Sequence, residues 1–238
     1  MKEGNKNDPE FNAYKNIYKE SINEELLKYG GADQSFFLQI KSSHLQEIID
    51  SSEKDGPLNV LDFGCGHGLM HPFITGNHLI TGVDPAAEVI EMAKSINPEH
   101  SYQNFDGCNL PFEDNIFDIA FAVCVFHHIP TQERLKAIEE MVRVTKDGGI
   151  IVIYEHNPLN PLTRKVVNDC PLDQNAELLY SRETISLFKS QGLKSYNLEF
   201  IIFFPLRAKI FRLIERLLKY IPLGAQYAAK AYVTKDTR

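Results

Sequence analysis

No run of apolar residues in the first thirty positions is long enough for a signal-peptide core or a transmembrane span, so a soluble, cytoplasmic protein is expected. Basic residues are in deficit: 25 Lys and Arg stand against 32 Asp and Glu, a formal charge of −7. Wrapping a polyanion needs a concentrated basic face, so nucleic acid is not an expected partner. The four cysteines, Cys65, Cys108, Cys124 and Cys170, form no C-x-x-C pair and read as reduced thiols, in keeping with the cytoplasm. Internal repeats and low-complexity tracts are absent. Metal-like spacing is also missing among His44, His67, His71, His78 and His100, so no metal is expected.

The 43% of hydrophobic residues in 238 can fill one sizeable core. Residues 1–10 form a charged arm with little to bury, and helical spacing follows over Phe11–Lys28 and Gln34–Asp50, parted by Gly30-Gly31. Residues 1–56 therefore read as an arm and cap helices, and 57–238 as the main domain.

Within that domain, short apolar runs alternate with helical patterns. Strands are expected at Asn59–Phe63, Leu79–Val83, Ser101–Phe105, Phe117–Val125 and Gly149–Tyr154, with helices from Leu69, over Ala86–Ser95 and over Gln132–Val144. Such alternation implies right-handed crossovers and a mostly parallel α/β sheet covered on both faces. Further on, a helix near Arg182–Gln191, a strand at Ser195–Phe204, a helix at Leu206–Tyr220 and a strand near Tyr227–Thr234 are expected.

The most informative stretch is Val60 to Gly68, VLDFGCGHG, a buried strand entering a glycine-rich turn. Glycines remove side chains where a backbone must turn sharply beside a ligand. The spacing is G-x-G-x-G rather than G-x-G-x-x-G, and Asp62 stands two positions ahead of Gly64. Asp84 lies 16 residues beyond Gly68, and its two oxygens suit a pair of neighbouring hydroxyls.

From Asn59 to Glu155 this succession resembles the class I S-adenosylmethionine-dependent methyltransferases, in particular the small-molecule group related to the ubiquinone and menaquinone enzymes. The resemblance implies a Rossmann-like seven-stranded sheet of order 3-2-1-4-5-7-6 with the last strand antiparallel. It also implies S-adenosylmethionine as cofactor. By this likeness the turn containing Asp62, Gly64, Cys65, Gly66 and Gly68 lies against the methionine portion. Asp84, next to Pro85, holds the ribose; Asp106, next to Gly107, meets the adenine; Val123 and Cys124, ending the fourth strand, run under the sulfonium. Lys146-Asp147-Gly148-Gly149 matches the turn before the fifth strand.

Methyl transfer from sulfonium is a displacement, so alignment and exclusion of water carry most of the rate. For a hydroxyl acceptor a base helps, and His127, His128 and His156, all at strand ends, are the candidates, with at most one expected to serve. A carboxylate is missing after the fourth strand, so the oxygen site that Mg²⁺ would want is incomplete.

Cover segments are expected near 157–180 and 205–225, over a small-molecule acceptor pocket. Over Leu206–Ile221, Arg207, Lys209, Arg212, Arg216 and Lys219 accompany an apolar helical face. A helix packed on the sheet is expected there. The alternative, a surface for an anionic, amphipathic acceptor or peripheral membrane contact, stays open. Two other functions remain: a nicotinamide-dependent oxidoreductase, against which the glycine spacing and the lack of Y-x-x-x-K speak, and a non-catalytic S-adenosylmethionine-binding protein.

Overall fold

Consecutive residues on the central strands are buried against opposite faces of one sheet. Leu61, Ala120 and Ile151 join one apolar cluster, and their neighbours Val60, Ile119 and Val152 join another. This is the period of two that any strand imposes, and it explains why these strands read as unbroken apolar runs. The structure is a computed structural model and describes residues 33–52, 54, 56–206 and 209–235. The helix expected over Phe11–Lys28 lies outside the described residues.

The described residues form α1 (Gln34–Asp50), β1 (Asn59–Phe63), β2 (Leu79–Asp84), α2 (Ala87–Ile96), β3 (Ser101–Asn104), β4 (Phe117–Val123), α3 (Arg134–Val144) and β5 (Thr145–His156). These are followed by α4 (Pro161–Asp169), α5 (Ser181–Ser190), β6 (Tyr196–Ile201), α6 (Lys209–Leu218) and β7 (Gln226–Tyr232). The strands make a seven-stranded sheet of order β3-β2-β1-β4-β5-β7-β6. β1 to β5 run parallel, and β7 pairs antiparallel with both β5 and β6. The expected Rossmann-like topology is the one observed.

The two faces are covered differently. Ala137, Ile138 and Met141 of α3 and Phe188 of α5 share a cluster with Leu61, Ile151 and Ile153. Leu45, Ile48 and Ile49 of α1 share the other with Val60, Phe121 and Tyr154. Asp33 starts α1 by accepting from the Phe36 amide at 3.0 Å, which satisfies one of the free donors of the first turn. The strand order reverses between β1 and β4, and this opens a crevice beyond their carboxyl ends.

Three local expectations are corrected, and one element is added. The helix from Leu69 is a single 3-10 turn, His71–Phe73, because Pro72 lies inside it and the His71 ring is drawn into the core. β5 starts at Thr145, so the expected Lys146–Gly149 turn is absorbed into the strand as an irregularity. Its register with β4 shifts between Phe117 and Ile119, and Gly148 takes φ +70°. α4, in the cover segment 157–180, is a helix that the sequence pattern did not disclose. It is started by Asn160, which accepts from the Leu162 and Thr163 amides. Lastly, α6 does not pack its apolar stripe on the sheet: Ile210, Leu213 and Leu217 are exposed, the last at 78%.

Candidate active site

The glycine turn is held in place from beneath. Gly64 adopts φ +73°, and a Cβ there would stand 2.6 Å from a Val125 methyl, so neither the conformation nor the space admits a side chain. Gly68 takes φ +65° against Tyr102 and Asn97. Below it runs a buried chain of hydrogen bonds. Asn97 Nδ2 donates to the Gly68 carbonyl and to the Tyr102 hydroxyl, at 3.1 and 3.0 Å. The Tyr102 hydroxyl, having accepted from Asn97, donates to His71 Nδ1 at 2.5 Å, and His71 Nε2 then donates to Asp62 Oδ2 at 2.8 Å. This order fixes the His71 tautomer. Among the described residues, it leaves Asp62 Oδ1 buried with no partner at the wall of a cavity.

That cavity, about 530 Å³, has the size of a small-molecule site. Gly64, Cys65 and Gly66 line it beside Asp62, as do Asp84 and Pro85. Each Asp84 oxygen takes one backbone amide: Oδ1 from Ala86 at 2.9 Å and Oδ2 from Gly66 at 3.0 Å. A carboxylate has about four acceptor positions, so each oxygen retains one for a ligand. Burial raises the Asp84 pKa to about 6, against the lowering effect of the two amides. Burial also pushes the Cys65 thiol well above its ordinary value, which suits a small turn residue rather than a nucleophile.

Not every residue implied by the family likeness reaches the cavity. Gly68 shapes the turn without lining it. Asp106 points into its own loop: Oδ1 accepts from the Cys108 and Asn109 amides, Oδ2 from Asn109 Nδ2, and these bonds depress its pKa. Gly107, at φ +81°, lies beside Pro85, where a Cβ would stand 3.9 Å from the proline Cβ. The Asp106-Gly107 turn thus borders the Asp84-Pro85 end of the cavity without supplying its wall.

Val123 and Cys124 do line the cavity, and Cys124 turns the chain at φ +56°, a conformation uncommon for a side-chain-bearing residue. The three candidate histidines converge there. His127 and His128 lie on a 3-10 turn after β4, and His156 ends β5. Glu155 sits fully buried behind them: its Oε1 accepts the Val125 and Phe126 amides at 3.0 and 2.7 Å, and its Oε2 accepts His127 Nδ1 at 2.6 Å.

Asp173, on a 3-10 turn after α4, lies 3.5 Å from His127 Nε2 and 3.4 Å from His128 Nε2. Burial disfavours charge on His127, yet Glu155 and Asp173 overcome it and raise the pKa to about 10. An imidazolium donating to two carboxylates is no proton acceptor near neutrality, so His127 does not fit the role of base. His128 and His156 go the other way. Burial lowers both, and His156 falls to about 4.

Neither Glu155 as the organiser of the β4 exit nor Asp173 was singled out from sequence. The fully apolar run before Glu155 was the available signal for the first; nothing local marked the second. The donor atoms of His127, His128 and Asp173 lie within 4.8 Å of one another, a grouping outside the five histidines weighed for metal spacing in the sequence. Two imidazoles and one carboxylate do not make the oxygen-rich shell of Mg²⁺.

A crevice at the β1/β4 switch point, a glycine turn ending β1 and an acid ending β2 are the features with which Rossmann-like folds hold a cofactor that carries a ribose. Residues 61–153, the stretch that carries the glycine turn, Asp84 and the β4 exit, match the family described as methyltransferase domain. Among curated relatives, the chain is 35% identical over 95 residues to the tRNA (carboxymethyluridine(34)-5-O)-methyltransferase of Saccharomyces cerevisiae, covering 40% of this chain and 34% of that one. It is 31% identical over 124 residues to the demethylmenaquinone methyltransferase of Paenarthrobacter aurescens, covering 51% and 48%. The chain thus spans about a third to a half of these two relatives. The fold is shared with a SAM-dependent methyltransferase from Thermotoga maritima at a TM-score of 0.67 and 16% identity, over 94% of this chain and 98% of that one.

The fit to the cofactor can be judged from the site itself. A buried Asp62 oxygen without a donor suits the amino group of the methionine portion, and Asp84 keeps acceptor positions for the ribose hydroxyls. The turn between them cannot carry side chains at Gly64 or Gly68. The residues fit the group.

Proposed function

We propose that this chain transfers the methyl group of S-adenosylmethionine to oxygen or carbon of a small-molecule acceptor. The observation that carries the reading is one cavity lined on one side by Asp62, Gly66 and Asp84 and on the other by His127, His156 and Gln226. The cofactor supplies a methyl already activated by positive sulfur. Asp62 Oδ1 would hold the amino group and Asp84 the ribose, which fixes the direction of the methyl. Phe37, Leu162 and Leu172 give the acceptor side apolar walls that exclude water.

The histidines support a particular kind of acceptor. With His127 held as an imidazolium and His156 a feeble base, proton removal by these groups contributes little at neutral pH. His128, whose pKa burial lowers, stays neutral and is the remaining candidate base, and an acceptor that arrives ionised or carries a stabilised carbanion needs none. The name of the yeast relative points to a tRNA uridine, but the net charge of −7 favours a small molecule. Incubation with methyl-labelled S-adenosylmethionine and a metabolite extract, with tRNA in a parallel reaction, tests this: label in a small-molecule fraction is expected, and label in tRNA alone would refute it. Calorimetry should show S-adenosylmethionine and its demethylated product, but not NAD, binding to one site.

A further inference from the structure

Lys41 of α1 is a cation in an unusual place. It is 6% exposed and lines the cavity, and among the described residues its Nζ meets just the sulfur of Cys124, 3.9 Å away. A buried ammonium without a counter-ion is costly, and a thiol is a poor acceptor. Gln226 lies against the same sulfur, with Nε2 3.5 Å from it and 3.4 Å from His156 Nδ1, while its Oε1 is buried with no partner among the described residues. Amide oxygen and nitrogen exchange places on a half-turn. So turned, Gln226 would accept from the thiol and from the imidazole N–H, and would present its NH₂ where the orphaned oxygen lies.

The surrounding charge selects the ligand further. Lys41 is the one Lys or Arg among the described residues that line the cavity, whose wall also carries the carboxylates of Asp62, Asp84 and Asp173. A single added negative charge is matched by Lys41, whereas a doubly charged phosphate would bring an excess charge against those carboxylates. Apolar walls from Phe37 and Phe203 face the same space.

We propose that Lys41, with Gln226 beside it, is the anchor for the acceptor's ionised oxygen, and that the acceptor is a small monoanionic organic acid with an unsaturated or aromatic body. This rests on the methyltransferase reading for the cofactor side and adds the class of molecule taken on the other. Lys41 holds the oxyanion in place; its loss weakens acceptor binding and leaves cofactor binding intact.

The test uses the full chain saturated with the demethylated cofactor, with benzoate, its neutral counterpart benzamide, and phenyl phosphate titrated calorimetrically. Benzoate is expected to bind at least about tenfold more tightly than either of the others. In Lys41→Met and Lys41→Gln this preference should vanish while affinity for the demethylated cofactor stays unchanged. Equal binding of benzoate and benzamide, stronger binding of phenyl phosphate, or a preference that survives in both variants would overturn the proposal. Failure of the cofactor product to bind at all would instead count against the methyltransferase reading, and the benzoate series on the uncomplexed chain would still decide the role of Lys41.

Discussion

Asp84 carries two kinds of information in one carboxylate. Its two backbone bonds hold the glycine turn to the start of α2, and its remaining acceptor positions face the cavity. Removing it in Asp84→Ala should weaken cofactor binding by about 2 kcal/mol or more, as expected when hydrogen bonds to a charged group are lost; calorimetry with unchanged affinity would exclude the ribose role. The pH dependence has a definite sign. The pKa near 6 is raised, so the free protein is favoured by protonation, and that contribution is lost as pH rises through about 6. Hydroxyl donors favour the ionised form, so cofactor affinity should fall as pH drops below about 6, and this pH dependence should disappear in Asp84→Asn. His71→Phe would leave Asp62 Oδ2 without its donor inside the core. A destabilisation of about 1–3 kcal/mol in denaturant unfolding is expected, with weaker cofactor binding because Asp62 is no longer oriented.

At the scale of elements, the exit of β4 is governed by a strand and a turn distant in sequence. Glu155 of β5 binds the amides after β4, and Asp173 reaches the same turn from beyond α4. Because His127 has a pKa raised to about 10, it binds its proton more tightly folded than unfolded. Its contribution is complete below about pH 6.5 and is lost as pH rises through about 10. The thermal midpoint should therefore decline between pH 7 and pH 10, and His127→Gln should flatten that decline; a parallel curve for the variant would show that the imidazolium is not stabilising. α6 is a different case. Leu213 and Leu217 face outward, so Leu213→Glu and Leu217→Glu should each change stability by no more than about 0.5 kcal/mol, whereas a stripe packed on the sheet would lose about 2–5 kcal/mol. Arg216 and Lys219 at its end pair with Glu47 and Glu199, so these two cations of the expected basic stretch are engaged within the chain.

For the whole molecule, sequence determined the architecture because period, turn chemistry and chain order are local properties. The run Phe117–Val123, apolar but for Asp118 and buried up to Ala122, is a central strand; G-x-G-x-G after β1 and an acid after β2 marked one wall of the cavity. α1 was legible to its end residues, since Asp33 supplies a cap and the apolar spacing continues to Asp50. The helix expected from Leu69 failed for a tertiary reason: His71 is more useful to the fold joined to Asp62 and Tyr102 than on a helix face. α4 went unseen because its prolines read as breakers, while Pro161 takes the first helical position, where no amide hydrogen is needed. The acceptor side was the least visible. Lys41, His127, Glu155, Asp173 and Gln226 come from five separate stretches and share no spacing. Only the tertiary fold, whose sheet order sets β5 beside both β4 and β7 with His156 opposite Gln226, brings Lys41, His127, Asp173 and Gln226 to one cavity with Glu155 buried behind His127, and decides which imidazole is charged and which cation is left without a carboxylate partner among the described residues.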